Sequence, residues 1–467
     1  MFFVFNLFSF KTKKVLNTDY IWQRSMCSKV LEEFFEFKKY NTNMKTEILA
    51  GLTTFMTMAY ILFVNPAILS AAMGKAAIPS IVTATALSSG IATIIMGLYA
   101  KKPFALAPGM GLNAYFAYSV CLNMGYSWKV ALAAVFVEGI IFIALSLTKV
   151  RTEVINAIPM SQKYAIGAGI GLFLTLIGLK NAGLIVGSKA TLVTMGFSNF
   201  TKPELWLAVF GIFLAAALMV RKVPGALLIS ILTTTVLAIA MHVAPMPKSI
   251  VSMPTLSYTF MKMDLKGLIS VGAFGVVFAF FMVDFFDTVG TVTGLSAKAG
   301  FLDKDGRVPD SEKILLTDAI GTTVGAILGT STVTTYIESA AGIEEGGRTG
   351  MVALVVGLLF ILIGVFISPI AEIIPDCATA PALIIVGFLM MSIVKGIDYE
   401  DYTEALPAFF VLSTIPFTFS ISDGIGIGFI SYCVLKLVSG RYKEVHPLLW
   451  ALAIVFVVYF LYLGGLL

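Results

Sequence analysis

Apolar stretches long enough to cross a lipid bilayer recur along most of this 467-residue chain, and they constrain its fold more than any other feature. A helix needs about 17–25 mostly apolar residues to cross the hydrocarbon core. Only 13% of the residues are charged, whereas a soluble domain carries roughly 25%. Because segments of this length satisfy their backbone groups as helices rather than as barrel strands, the sequence predicts an all-α polytopic membrane protein.

The apolar stretches form two series of seven. The first lies near 45–72, 80–100, 104–124, 128–149, 159–183, 203–221 and 224–243, and the second near 268–297, 314–329, 332–347, 348–374, 379–395, 404–419 and 420–438. An odd number of spans in each series forces the two halves into opposite orientations, as in transporters built from inverted repeats. We therefore expect 14 transmembrane spans as 7+7 inverted repeats, and residues 446–467 either add a span or pack along the membrane.

The domain organisation follows from these series. We expect a cytoplasmic N-terminal segment 1–44, a first repeat 45–243, an extracellular connection 244–267, a second repeat 268–440 and a C-terminal apolar segment 441–467. Lys and Arg gather at the ends of alternate spans, which favours the cytoplasmic side and places the N-terminus there, in a multi-pass protein of the cell membrane. The start at Met1 or at Met26 is left open, because the first apolar residues precede the basic ones, unlike in a signal peptide.

The remaining composition argues against several functions. Four cysteines lack a paired spacing, two histidines are too few for a histidine metal cluster, and no phosphate-binding P-loop motif is present. We therefore expect no enzyme, no metal, no organic cofactor and no nucleic-acid partner.

Two segments at equivalent places in the series interrupt their helices. Residues 89–109 align with 317–337 at a constant offset, although chance resemblance between Gly- and Thr-rich helices is the alternative. Pro108 and Gly109 disfavour a continuous helix, and the Ser/Thr-rich stretch 330–338 favours an extended one. We expect short extended segments in spans 3 and 10, each leading into a half-helix whose N-terminus points into a shared cavity.

Charged residues inside apolar spans are costly, by ~2.5–3.5 kcal/mol on insertion scales, and they mark functional sites. The candidates are Glu138, Asp284, Asp287, Asp318 and Glu338, with Asn113 as a neutral partner. Asp284 and Asp287 lie on one helix face, and two carboxylates in a poorly solvated site cannot both ionise cheaply. The pair is thus expected to take up and release a proton, although a structural, capping role is the alternative for Asp287. Structural roles are expected for Glu138 and Asp318.

The expected cavity contains an amide, carboxyls and nearby aromatic rings, contributed by Asn113, Asp284, Glu338, Tyr336, Phe104 and Phe281. Carboxylates accept N–H bonds from a base edge, an amide pairs with adenine-like positions, and aromatic rings stack on the base. Lys and Arg are absent from this set. The set therefore suits a flat, neutral heterocycle better than an anion.

Four stretches carry a family resemblance: EILAGLTTFMTMAYILFVNP, FALAPGMGLNAYF, FFMVDFFDTVGTVTG and TSTVTTYIESAAGIEEGGRTG. They resemble the AzgA-like purine permeases of the nucleobase–cation symporter and nucleobase–ascorbate transporter superfamily, over about residues 31–467. The resemblance implies a core domain (spans one to four and eight to eleven) and a gate domain (the other spans). It also implies proton-coupled import of adenine, guanine or hypoxanthine, with the core moving like an elevator against the gate.

On this resemblance the substrate-binding residues are Asp284, Glu338, Asn113, Tyr336 and Phe104, and the proton-coupling residues are Asp284, Asp287 and Glu338. Asp284 is expected to contact the base, and Asp287 to carry the proton or to hold the site in shape. The uracil and xanthine branch has a histidine where this chain has Thr288, so proton handling must rest on carboxyls.

Two other functions are alternatives for this sequence. A sulfate-type anion transporter or channel of the same architecture would need a basic site, which the carboxylates argue against. An intramembrane aspartyl hydrolase would place its two aspartates on facing helices rather than on one. The preference among purines and the oligomeric state, including a homodimer, are left open.

Overall fold

The computed structural model describes residues 29–148, 157–270, 274–303 and 308–463. The expectations for residues 1–28, with both candidate start sites, and for the last four residues lie outside this part. Within it, eight helices are long and apolar enough to cross a membrane, and shorter apolar helices accompany them. The all-α polytopic prediction is confirmed.

The first repeat contains eight helices and three short strands among the described residues. They are α1 (Met44–Met58), α2 (Ile61–Met73), α3 (Ile78–Ile95), β1 (Leu106–Pro108), α4 (Met110–Ala114), α5 (Trp128–Ser146), α6 (Met160–Asn181), β2 (Ile185–Ser188), β3 (Leu192–Met195), α7 (Pro203–Val220) and α8 (Ala226–Ala240). Helix α3 continues as a π-helical turn over Met96–Ala100, and α4 continues likewise over Tyr115–Asn123. The helices α1 and α2 together make span 1, and β1 with α4 makes span 3.

The short helix α9 (Leu265–Ser270) precedes the second repeat. The repeat itself comprises α10 (Phe274–Ala299), α11 (Ser311–Leu328), β4 (Val333–Thr335), α12 (Ser339–Glu344), α13 (Gly350–Leu362), α14 (Ser368–Ile373), α15 (Asp376–Met391), α16 (Tyr402–Thr418) and α17 (Ile421–Val438). The last apolar stretch forms α18 (Pro447–Leu463), which packs along α17.

Equivalent helices of the two repeats make equivalent contacts. Helix α5 of span 4 packs on α11 of span 9, just as α3 of span 2 packs on α13 of span 11. In the other domain, α15 packs on α6 and α7, and α6 also packs on α16. This reciprocal pattern is that of 7+7 inverted repeats with a core and a gate domain, as predicted. The sidedness of the loops stays a prediction.

The spans 2 and 11 cross at two glycines. A Cβ on Gly350 would lie 2.0 Å from the carbonyl oxygen of Gly97, so only a hydrogen fits at that crossing. Small residues allow backbones to approach closely where membrane helices pack. The crossing fixes the start of α13 against the end of span 2, next to the extended segments.

Candidate functional site

Two extended segments meet inside the core domain. Strands β1 and β4 pair antiparallel, with Leu106 opposite Thr335 and Pro108 opposite Val333, and both strands are buried. The pairing extends by one bond beyond each end, as shown by Tyr336, whose N–H donates to the carbonyl of Ala105 at 2.9 Å. Extended backbone is tolerated at membrane depth only where its polar groups find partners. The predicted extended segments of spans 3 and 10 provide these partners for each other.

Side chains satisfy the outer edge of β1. Thr93 of α3 accepts a hydrogen bond from the Leu106 N–H at 2.9 Å and donates to the Leu106 carbonyl at 3.1 Å. Ser339, the first residue of α12, accepts from the Ala105 N–H at 2.9 Å. Both side chains are fully buried. Their hydrogen bonds replace those that a further β-strand would make, because these buried backbone groups have no water to bond with.

Asn113 ties the first half-helix to the opposite segment. Its Oδ1 accepts a 2.8 Å bond from Ser331, which precedes β4, and its Nδ2 donates to the Pro108 carbonyl at 3.4 Å. The Tyr336 hydroxyl donates to the same Pro108 carbonyl. The amide and the phenol therefore lie together where the two chains cross.

Glu338 and Asp287 lie beside this crossing. The hydroxyl of Tyr60, which immediately precedes α2, donates to Oε1 of Glu338 at 2.5 Å, and Glu338 is only partly buried. Asp287 of α10 is also partly exposed, and it interacts electrostatically with Glu338 and Tyr336. Two carboxyls and a phenol, contributed by α10 and by the start of α12, thus form one group.

The face of α10 that bears Asp287 borders open space. Gly290 and Gly294 follow Asp287 at three and seven residues, which is the spacing of one helix face. Among the described residues, no atom lies within 4 Å of the place that a Cβ on either glycine would take. Asp287 therefore lies on an open face of α10.

Asp284 lies one turn before Asp287 on α10 and faces α11. It is fully buried, and Thr322 of α11 lies 3.3 Å from its Oδ2. Asp318 is buried nearby, and its two oxygens accept from Thr288 at 2.7 Å and from Thr335 at 2.8 Å. The sequence places Asp284 and Asp287 one turn apart on the same helix. In the structure, Asp284 is fully buried, whereas Asp287 is partly exposed.

The structure brings Asn113, Tyr336, Glu338 and Asp287 together and sets two predicted residues apart. Asp284 faces the buried group around Asp318, and the Phe104 ring packs against Phe301 in a separate apolar cluster. Contact of any of these residues with a ligand stays a prediction.

Sequence reasoning missed the hydroxyl partners. Thr288, Thr322 and Thr335 bond the buried aspartates, and Tyr60 bonds Glu338. Phe281, expected near the site, packs with Phe142 and Phe285 instead. Hydroxyl residues are common in apolar spans, so the signals in the sequence for this region are its charged residues and the interruption of spans 3 and 10.

The comparisons with known proteins agree with this architecture. A family model described as the permease family matches residues 45–427. The adenine permease AdeP of Escherichia coli is 42% identical over 92% of this chain and 95% of its own length. The guanine/hypoxanthine permease PbuG of Bacillus subtilis is 43% identical over 93% of this chain and 100% of its own length.

A solved structure shares the fold at low sequence identity. The transmembrane domain of a cyanobacterium bicarbonate transporter, BicA, matches with a TM-score of 0.62 at 16% identity, over 82% of this chain and 97% of that one. The likeness shows the fold alone. The matching proteins are transporters of the cell membrane, and this chain is a multi-pass transporter rather than an enzyme. It belongs to the permease family, and its membership of the AzgA-like branch, expected from the four sequence stretches, is confirmed.

Proposed function

We propose that this protein imports purine nucleobases (adenine, guanine or hypoxanthine) together with protons. The observation that carries the proposal is the group formed by Asp287, Glu338 and Tyr336 beside open space, next to the crossing of β1 and β4. The relatives described as adenine and guanine/hypoxanthine permeases support the same substrate class.

The chemistry of the group suits a flat, neutral base. The Glu338 carboxylate accepts N–H bonds from a base edge, and its Tyr60 partner holds it in place. The Tyr336 ring offers a surface beside it, and Asp287 supplies a second acceptor. Asp287 and Glu338 supply carboxyls beside this open space, and Lys298, further along the same face of α10, is paired with Glu344, which favours a base over the anion of the alternative function.

The coupling proton would bind to a carboxyl. The candidates are the carboxyls of Asp284, Asp287 and Glu338 in the core domain, because carboxylates close together in a poorly solvated site repel each other until one of them binds a proton. Binding of a neutral base with one proton then moves one positive charge inwards, which the membrane potential and the proton gradient both favour.

An elevator-like movement of the core against the gate fits the contacts. Both interrupted spans belong to the core, and their strands pair with each other rather than with the gate. The contacts across the two domains include the Tyr115 hydroxyl with Ser422 at 3.5 Å and Ser119 with the Phe419 carbonyl. A core that carries the whole site can therefore move by exchanging few polar contacts.

The experiment measures uptake of labelled adenine and hypoxanthine in cells without their own purine permeases, with unlabelled bases as competitors, at two pH values. The wild type should take up a purine, and a protonophore should abolish accumulation. Glu338→Gln and Asp287→Asn should reduce uptake at least about tenfold, because each removes a hydrogen bond between a charged carboxylate and the base.

Glu344→Gln is the matched control, because Glu344 belongs to the same half-helix but pairs with exposed Lys298. It should transport as the wild type does, at an equal amount of protein in the membrane. Normal purine uptake by both site variants would refute the site. Uptake that depends on sodium and ignores the protonophore would refute proton coupling.

A further inference from the structure

Two acidic side chains of the core domain form a buried pair. Glu138 of α5 and Asp284 of α10 are both fully buried inside the core domain. The sequence reasoning expected a structural role for Glu138, such as a bond to a neighbouring backbone. The described residues provide no such bond, since neither Oε1 nor Oε2 of Glu138 has a hydrogen-bond donor.

Asp318 differs from this pair in its hydrogen-bond donors. Each oxygen of Asp318 has its own threonine donor, at 2.7 and 2.8 Å. Among the described residues, the donor to Asp284 is Thr322, at 3.3 Å, and the single hydroxyl proton of Thr322 lies closer to the Val333 carbonyl, at 2.9 Å. Within the described part of the chain, the four oxygens of Glu138 and Asp284 therefore share at most one protein donor, for which the Val333 carbonyl competes.

Helices α5 and α10 pack against each other, and the two buried carboxyls interact electrostatically across this contact. Two carboxylates there would repel strongly in a site without water or cations. A single proton removes the repulsion and supplies the missing donor, because a neutral carboxyl donates to its charged partner. The geometry thus calls for one proton on the pair.

We propose that Glu138 and Asp284 share one proton, and that this pair is where the coupling proton is held during transport. The inference rests on the proposed proton-coupled purine import and assigns to Glu138 a role in it. Proton uptake converts the pair from two carboxylates into one carboxyl and one carboxylate, and release on the other side of the membrane reverses the change.

The other charged groups around the pair are acidic. Asp318 faces it from α11, and Asp287 lies one turn further along α10. The π-helical turn Tyr115–Asn123, which also packs on α5, carries no charged residue, and Lys266 of α9 is exposed. No described cation is placed to replace the proton.

Thr322 connects the pair to the base site. When the pair is protonated, the Thr322 hydroxyl donates to the Val333 carbonyl of β4. When both carboxyls are charged, that proton is drawn towards Asp284 and the Val333 carbonyl loses its partner. Strand β4 leads directly into Tyr336 and Glu338. The protonation state of the pair therefore affects, through β4, the residues that would bind the base.

The test uses the full-length protein in proteoliposomes and compares the wild type with Glu138→Gln. One assay measures exchange of labelled against unlabelled hypoxanthine or adenine at equal pH, which needs no net proton movement. The other measures accumulation driven by a proton gradient. A gradient of ~2 pH units supports about 100-fold accumulation for one coupled proton. Glu138→Gln should exchange at nearly the wild-type rate but accumulate no base above the external concentration.

Asp284→Asn should likewise fail to accumulate base, and Glu344→Gln should behave as the wild type in both assays. Undiminished accumulation by Glu138→Gln would overturn the inference. If Glu138→Gln lost both exchange and accumulation, the inference would also be overturned, because that result would show a structural role for Glu138. Failure of the wild type to exchange any purine would instead refute the proposed function.

Discussion

Replacing Thr93 by Val tests whether the edge of β1 depends on one hydroxyl. The two side chains have nearly the same shape, so packing changes little, but the N–H and the carbonyl of Leu106 both lose their partner. Each buried backbone group without a partner costs about 1–3 kcal/mol, so the variant should lose about 2–6 kcal/mol of stability. Purine uptake should fall as well, since β1 leads into the half-helix of Asn113.

Stability is measured as resistance of the purified protein to heat and denaturant in detergent. Thr235→Val is the matched control. Thr235 is also buried, but its hydroxyl donates at 2.8 Å to the Ile231 carbonyl within its own helix. That carbonyl also accepts a backbone hydrogen bond of the helix, so it keeps a partner when the hydroxyl is removed. It should cost less than about 1 kcal/mol, the net value of an ordinary hydrogen bond. Equal stability of the two variants would refute the reasoning.

Two further substitutions separate binding from folding. Tyr60→Phe removes the donor to Glu338 and should raise the KM for purine about tenfold or more, with normal amounts of protein, because bonds to charged groups contribute about 1.5–3 kcal/mol. Gly350→Ala should abolish folded protein, because its Cβ would collide with the carbonyl of Gly97, whereas Gly290→Ala should fold as well as the wild type. Uptake kinetics and the yield of monodisperse protein measure these effects.

An unchanged KM in Tyr60→Phe would show that Glu338 is held by other contacts. Normal yield of Gly350→Ala would mean that spans 2 and 11 can separate without loss of the fold. Both outcomes are read against the same measurements on the wild type.

The architecture could be predicted from the sequence because the bilayer imposes its length on every span. The helix boundaries expected from apolar runs lie within a few residues of those observed, as for α5 and α17. Pro108 and the Ser/Thr-rich stretch before Tyr336 predicted the interrupted spans, because neither suits a continuous helix.

The arrangement of the carboxyls could not be predicted in the same way. Asp284 and Asp287 lie three residues apart on one helix, but their different surroundings depend on α11, whose Thr322 lies within hydrogen-bonding distance of Asp284. Glu138 was read as structural because it stands alone in its span. Its significance comes from a neighbour on another helix, and one sequence does not report which helices are adjacent.

The pairing of β1 with β4 has a consequence for synthesis in the cell. Pro108 and Tyr336, which bond across the crossing, are 228 residues apart in the chain. At roughly 5–20 residues per second, the ribosome makes the second residue about 10–45 s after the first. Until then, span 3 of the nascent protein has an extended segment whose backbone has no partner, and hydrocarbon does not accept such a segment. Span 3 must therefore be sheltered by the insertion machinery or by water until span 10 emerges, so the candidate site forms only after ten of the fourteen spans have been made.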